Sequence, residues 1–155
     1  MTRPSKADTK ARKLSNFLCF AVYSANLAFG RAYKPLLDAV GLTYTQYIAM
    51  VALAEADDLT VSALGEKLFL ESNTLTPILK KLEQSGYISR VRDPADERQV
   101  RVNLTPAGRR LLDKDINFSL IEATGLGDEF PVVQKSVVRL RDNLLHNTRG
   151  DPKKG

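Results

Sequence analysis

From Leu14 onward, apolar or small residues fall at Phe17, Leu18, Ala21, Val22, Ala25, Ala28, Phe29 and Ala32, the spacing of one helix face. The pattern predicts a first helix from about Thr9 to Asp38, with Pro35 kinking or detaching its last turn and Gly41 ending the segment. Thr43 followed by Gln46 is a capping-box spacing that opens a second helix through Tyr47, Ile48, Val51 and Leu53, ending near Asp57 and Asp58. Thr60 is placed to cap a short third helix, Val61 to Leu68, and Ser72 to cap a fourth with Leu75, Ile78, Leu79 and Leu82 as its buried stripe. Gly86 sits where that helix ends in the left-handed conformation. Pro77, about one turn inside it, predicts a bend or a later start.

After Gly86 the period changes to two. Val100, Val102 and Leu104 alternate with Gln99, Arg101 and Asn103, a half-exposed strand whose partner is Tyr87 to Arg92. The turn formers from Asp93 to Arg98 close a two-stranded hairpin with a charged tip. Thr105-Pro106 opens a fifth helix through Leu111, Leu112, Ile116, Leu120 and Ala123; Gly125 to Asp128 breaks it, and a last helix carries Phe130, Val133, Val137, Leu140 and Leu144. The expected fold is mainly α with a small β-hairpin. Short helix, turn, capped helix, hairpin is the order of a winged helix-turn-helix, whose second helix enters the major groove of DNA.

A chain of 155 residues with 43% apolar residues suits a single globular domain with a buried core. Its longest apolar runs, Phe17 to Val22 and Tyr47 to Ala54, are far short of the ~20 residues that cross a bilayer. No signal peptide precedes them, so a cytoplasmic protein without a membrane partner is expected. The net charge of +5 favours an anionic partner. A single cysteine, Cys19, excludes an internal disulfide framework and a zinc site of several thiolates, and no metal or cofactor is expected. Met1 to Asp8 reads as a basic arm.

With the leucine stripe turned inward, the fourth helix presents Ser72, Asn73, Thr74, Thr76, Pro77, Lys80 and Lys81, small polar groups first and ammonium groups further on. Arg90, Asp96 and Arg98 of the hairpin complete the candidate DNA contacts. Basic residues outnumber acidic ones between Ser72 and Arg110. Charge alone fits a solvated face better; the element order tips the balance toward nucleic acid. At the hairpin tip Arg98 would lie over a minor groove, with Asp96 orienting its guanidinium or bracing the hairpin.

The stretch Leu68 to Leu104, with its run Ser72-Asn73-Thr74-Leu75-Thr76-Pro77-Ile78-Leu79-Lys80-Lys81-Leu82-Glu83 and its wing Asp96-Glu97-Arg98, resembles the MarR family of bacterial transcription regulators. The resemblance implies a homodimer on a double-stranded, inverted-repeat operator. It assigns residues 9–39 and 106–148 to dimerisation helices and 43–104 to the DNA-binding lobe.

Cys19 taken alone reads as an inert core residue. Yet Cys19, Tyr23, Asn26, Gly30 and Tyr33 share a second face of the first helix, not a typical core stripe. Phenol hydroxyls can donate hydrogen bonds to a thiolate and favour the charged form that a reactive cysteine needs. Tyr23 is near in sequence, but Tyr33 lies about 21 Å further along the helix, so if it serves Cys19 it comes from a partner subunit. Ordinary interface packing is the alternative for both tyrosines.

Leu18-Cys19-Phe20-Ala21-Val22-Tyr23-Ser24-Ala25, with Tyr33-Lys34-Pro35-Leu36-Leu37, resembles the OhrR subgroup of MarR proteins, the organic hydroperoxide sensors. That resemblance implies a redox-sensing repressor in which Cys19 reacts with an organic hydroperoxide, Tyr23 and Tyr33 reach it across the dimer, and a low-molecular-weight thiol caps the product. The second cysteine of some members is missing. Two rivals stand beside this reading. One is a MarR-type repressor that answers a small aromatic ligand with Cys19 uninvolved. The other is a thiol peroxidase, disfavoured by a lone histidine, His146, and the lack of a resolving cysteine or Gly-rich phosphate loop.

Overall fold

The first helix begins later than its apolar pattern predicts. In the computed structural model, which describes residues 13–114 and 116–149, Leu14–Asn16 form a single 3-10 turn and Phe17 is extended. Helix α1 then runs Leu18–Asp38. The basic arm and the expected start at Thr9 lie outside the described residues. Pro35 neither detaches nor ends the helix: its missing N–H removes one rung of the ladder, and the turn closes beyond it through Val40 N–H to Leu37 O at 3.0 Å.

Helix α2, Tyr44–Glu55, starts at the expected capping box: Gln46 N–H donates to Thr43 Oγ1 at 3.3 Å and Thr43 N–H to Gln46 Oε1 at 2.9 Å. It buries Gln46, Tyr47, Ala49, Met50, Ala52 and Leu53, a helix surrounded on most sides. Ile48 and Val51 are only half-buried; the almost unbroken apolar run that marks this helix in the sequence does not say which face turns inward. A two-residue strand, β1 (Leu59–Thr60), leads into α3, Val61–Leu68, and Thr60 caps it by accepting from Ala63 N–H at 3.1 Å.

Helix α4 spans Ser72–Gln84. Ser72 is not its cap. Glu71 is the N-cap, its carbonyl accepting from Thr74 and Leu75 N–H at 3.0 Å each, and Ser72 already lies inside the helix. Nor does Pro77 delay the start, since it costs a single backbone bond. Leu75, Leu79 and Leu82 are buried, with Ile78 half-buried. Gly86, at φ +79°, reverses the chain so that Tyr87 N–H reaches Leu82 O at 3.0 Å.

Strands β2 (Ile88–Arg92) and β3 (Val100–Leu104) pair antiparallel, from Ile88 opposite Leu104 to Arg92 opposite Val100. The sheet has three strands rather than the expected two, in the order β1-β3-β2, with Leu59 opposite Val102 and Thr60 opposite Arg101. Two residues are too few to leave a period in the sequence. Helix α5, Pro106–Leu112, is capped by Thr105, which accepts from Gly108 N–H at 3.1 Å. A Cβ on Gly108 would stand 2.2 Å from Tyr87 O, so the packing of α5 on the start of β2 requires glycine there.

The chain divides into two compact units between Asp115 and Ile116. The fifth helix expected to reach Ala123 is instead two helices, α5 and α6 (Ile116–Ala123), with Asp113 and Lys114 outside both. In the second unit a 3-10 turn, Gly127–Glu129, leads into α7, Phe130–Arg149. In the first unit Met50, Leu53, Leu64, Leu75, Leu79, Leu82 and Val102 are fully buried, which fixes α2, α3 and α4 against β3. Truncating one such leucine to alanine costs about 2–5 kcal/mol. No helix among the described residues is long and apolar enough to cross a membrane.

Candidate nucleic-acid interface and thiol face

Burial of Leu75, Leu79 and Leu82 fixes which side of α4 faces out: Ser72, Asn73, Thr74, Pro77, Lys80 and Lys81 are exposed and Thr76 is half-buried. Thr76 Oγ1 donates to Ser72 O at 2.8 Å, which sets its rotamer. Ser62 at the start of α3, Ser72 and Thr76 of α4, and Arg90 and Arg98 of the hairpin line one open groove of about 220 Å³. Hydroxyls at two helix starts beside two guanidinium groups make a surface suited to phosphate oxygens.

Arg98 stands at the hairpin tip with its side chain 90% exposed. Asp96 takes both roles expected of it. Its carboxylate accepts from Arg98 N–H at 3.2 Å, bracing the turn, and from Nε at 3.1 Å, aiming the guanidinium. Arg90 is placed differently, with a side chain only 21% exposed. Its Nη2 donates to Glu83 Oε1 and its backbone N–H to Glu83 Oε2, both at 3.0 Å, so it first fastens β2 to α4. The hydrogen bond from Arg90 holds the Glu83 carboxyl below its usual range against the opposing effect of burial. The buried Nε of Arg90 has no acceptor among the described residues.

Cys19 is the second residue of α1 and is exposed. It lies in the first turn, where backbone N–H groups lack intrahelical acceptors. One turn on, Tyr23 is 59% exposed, its ring centroid 6.4 Å from that of Phe20. Phe17, Leu18, Phe20, Val22, Leu27 and Phe29 are exposed as well. The structure thus brings Cys19 and Tyr23 onto one open face and sets Tyr33 apart. Tyr33 packs on α2, 4.8 Å from the ring of Tyr44 and 6.4 Å from that of Tyr47. Burial, reinforced by Tyr44 and Tyr47, pushes its hydroxyl up to about 12, so at neutral pH it is a hydrogen-bond donor. Tyr44 is a further phenol beside Tyr33, signalled in the sequence by its place directly after the Thr43 cap and three residues before Tyr47. Among the described residues, no three of His, Cys, Asp and Glu gather as a metal would require.

A short capped helix, an amphipathic helix with a polar outer face and an arginine-tipped hairpin together define a winged helix-turn-helix protein. Residues 31–114 match the family model of the transcriptional regulators SarA/Rot. The chain is 47% identical over 105 residues to the organic hydroperoxide resistance transcriptional regulator of Bacillus subtilis (strain 168), covering 68% of this chain and 71% of that one. It is 52% identical over 103 residues to the HTH-type transcriptional regulator TtmR of Methylorubrum extorquens (strain PA1), 66% of this chain but only 53% of that longer protein. The crystal structure of AbfR of Staphylococcus epidermidis matches with a TM-score of 0.74 at 32% identity, over 94% of this chain and 99% of that one. Reduced AbfR bound to DNA matches with a TM-score of 0.72 at 34% identity, over 89% and 99%. The chain belongs to the MarR family of transcriptional regulators, as a member of its OhrR type. Such relatives are regulators, and the chain is a regulator rather than an enzyme.

Proposed function

We propose that the protein is a homodimeric repressor that holds an inverted-repeat operator when reduced and releases it when an organic hydroperoxide oxidises Cys19. The observation that carries this reading is the exposed Cys19 beside Tyr23 in a chain 47% identical to an organic hydroperoxide resistance regulator. On DNA, Ser72, Asn73, Thr74, Thr76 and Pro77 meet base edges and nearby phosphates, Lys80 and Lys81 follow the backbone, and Arg98, aimed by Asp96, enters the minor groove. Arg90 keeps its bonds to Glu83 and adds its positive charge to the groove that faces the phosphates. That a relative, AbfR, has been crystallised on DNA supports this use of the winged face.

Residues 9–39 and 106–148 supply the dimerisation helices and 43–104 the DNA-binding lobe. Exposed Phe20, Leu27 and Phe29 on α1, and exposed Val133, Val137 and Leu144 on α7, are apolar surface that a second copy would cover. In the dimer Tyr33 of one subunit serves Cys19 of the other, the phenol donating to the sulfur.

The thiolate attacks the outer, hydroxyl oxygen of the peroxide: the O–O bond breaks, an S–O bond forms, the alkoxide takes a proton from water and leaves as the alcohol, and Cys19 becomes a sulfenic acid. A low-molecular-weight thiol then attacks that sulfur and expels water, leaving a mixed disulfide. The adduct displaces Tyr23 or the partner's phenol and shifts the helices that space the two lobes, so operator affinity falls. Cys19→Ser is expected to bind the operator normally and to keep it in the presence of cumene hydroperoxide; release of that variant overturns the proposal.

A further inference from the structure

Wing-tip contact with DNA requires that Arg98 be held in register with α4, and the hairpin ladder cannot do this alone, because it ends at Arg92 opposite Val100. Beyond that rung the tip is closed by Asp93 N–H to Gln99 O and Gln99 N–H to Asp96 O, each at 2.9 Å. Asp93 is only 7% exposed, an unusual depth for a carboxylate next to a hairpin tip. One of its oxygens accepts from Ala95 N–H at 2.8 Å and the other from Arg101 Nε at 2.8 Å.

The same guanidinium reaches a second element. Arg101 Nη1 donates to the backbone carbonyl of Asp58 at 3.0 Å and to its carboxylate at 3.1 Å. Asp58 also accepts from Asn103 Nδ2 at 3.3 Å and sits at φ +59°, a conformation that side chains other than glycine rarely take. It directly precedes β1 and α3, the helix that leads the helix-turn-helix. Strain at Asp58 is thus held in place by three hydrogen bonds from β3.

We propose that Arg101 is a positioning residue for operator binding: its guanidinium latches the wing, through Asp93, to the turn before α3, through Asp58, so that Arg98 and α4 meet DNA in one fixed geometry. The inference rests on the operator-binding reading above and adds to it a residue that need not touch DNA. The guanidinium reaches its two partners with separate, rigidly placed donors, Nε toward Asp93 and Nη1 toward Asp58; a lysine ammonium keeps the charge but gathers its donors at one point on a flexible stem.

The test is operator affinity at one salt concentration for the unaltered protein and for Arg101→Lys, Asp58→Gly, Arg98→Ala and the two pairings with Arg98→Ala. Arg101→Lys is expected to lose about fivefold or more in affinity, and so is Asp58→Gly although it removes a negative charge near the DNA. Both losses are expected to vanish in the Arg98→Ala background, since the latch acts through that residue. Unchanged binding by Arg101→Lys, tighter binding by Asp58→Gly, or equal losses with and without Arg98 overturn the latch. If Arg101→Lys melts below the assay temperature, Asp58→Gly decides alone, because glycine suits the positive φ. Wild-type protein that ignores the operator sinks the functional reading and the latch together; wild-type binding with indifferent variants sinks the latch only.

Discussion

Arg98 and Asp96 show how a single side chain is readied for a partner. The carboxylate fixes both the backbone and the guanidinium of Arg98, yet at such exposure the pair contributes at most about 1 kcal/mol to folding. Arg98→Ala is therefore expected to leave stability nearly unchanged while weakening operator binding on the order of tenfold at fixed salt; unchanged affinity in a gel-shift titration removes the wing from the contact set. Glu83 and Asp93 work the other way, as groups of the fold. Arg90 holds the first below its ordinary value, and Ala95 N–H with Arg101 holds the second below its own. A carboxyl depressed in the folded state stabilises it fully above the ordinary carboxylate pKa, and that stability is lost as pH falls through the lowered value. Denaturant midpoints followed by circular dichroism are expected to fall below about pH 4, and Asp93→Asn to flatten that fall. An acid limb as steep in Asp93→Asn as in the wild type contradicts the assignment of Asp93.

At the scale of elements, capping separates what the sequence signals from what the fold uses. Thr43→Ala is expected to cost about 1 kcal/mol, because its hydroxyl takes a first-turn N–H of α2. Ser72→Ala is expected to change stability by less than about 0.5 kcal/mol, because the cap of α4 is Glu71. Thermal unfolding of the two variants checks both, and equal losses would return the cap to Ser72. Helix starts with a hydroxyl and a clear apolar stripe, at Thr43, Thr60 and Thr105, were legible from residue order alone, as was the hairpin, whose register only the structure supplies. What stayed hidden depends on partners distant in sequence. Strand β1 exists because Leu59 and Thr60 lie beside β3, and the Asp58–Arg101–Asp93 bridge spans residues 43 positions apart at its long arm. Tyr33 shared a helical face with Cys19 on paper, but only the packing of α1 on α2 sets it against Tyr44.

Across the whole molecule, the apolar residues that α1 and α7 leave open argue for a second copy of the chain. Leu27→Glu, on the open side of α1, is expected to convert a dimer into a monomer in sedimentation velocity at micromolar protein. A wild-type monomer, or a Leu27→Glu dimer, contradicts dimerisation through that face. Under the proposed switch dimerisation also bears on the chemistry: with one cysteine per chain, an oxidised Cys19 would pair either with a small thiol or with Cys19 of the other subunit.

The most direct measurement is a gel-shift titration of the reduced protein on its own upstream DNA at one salt concentration, with and without an organic hydroperoxide plus a small thiol. Loss of binding on oxidation, restored by dithiothreitol, is the expected result. Binding that persists unchanged through oxidation contradicts the Cys19 switch and hands the effector question to the small-ligand reading.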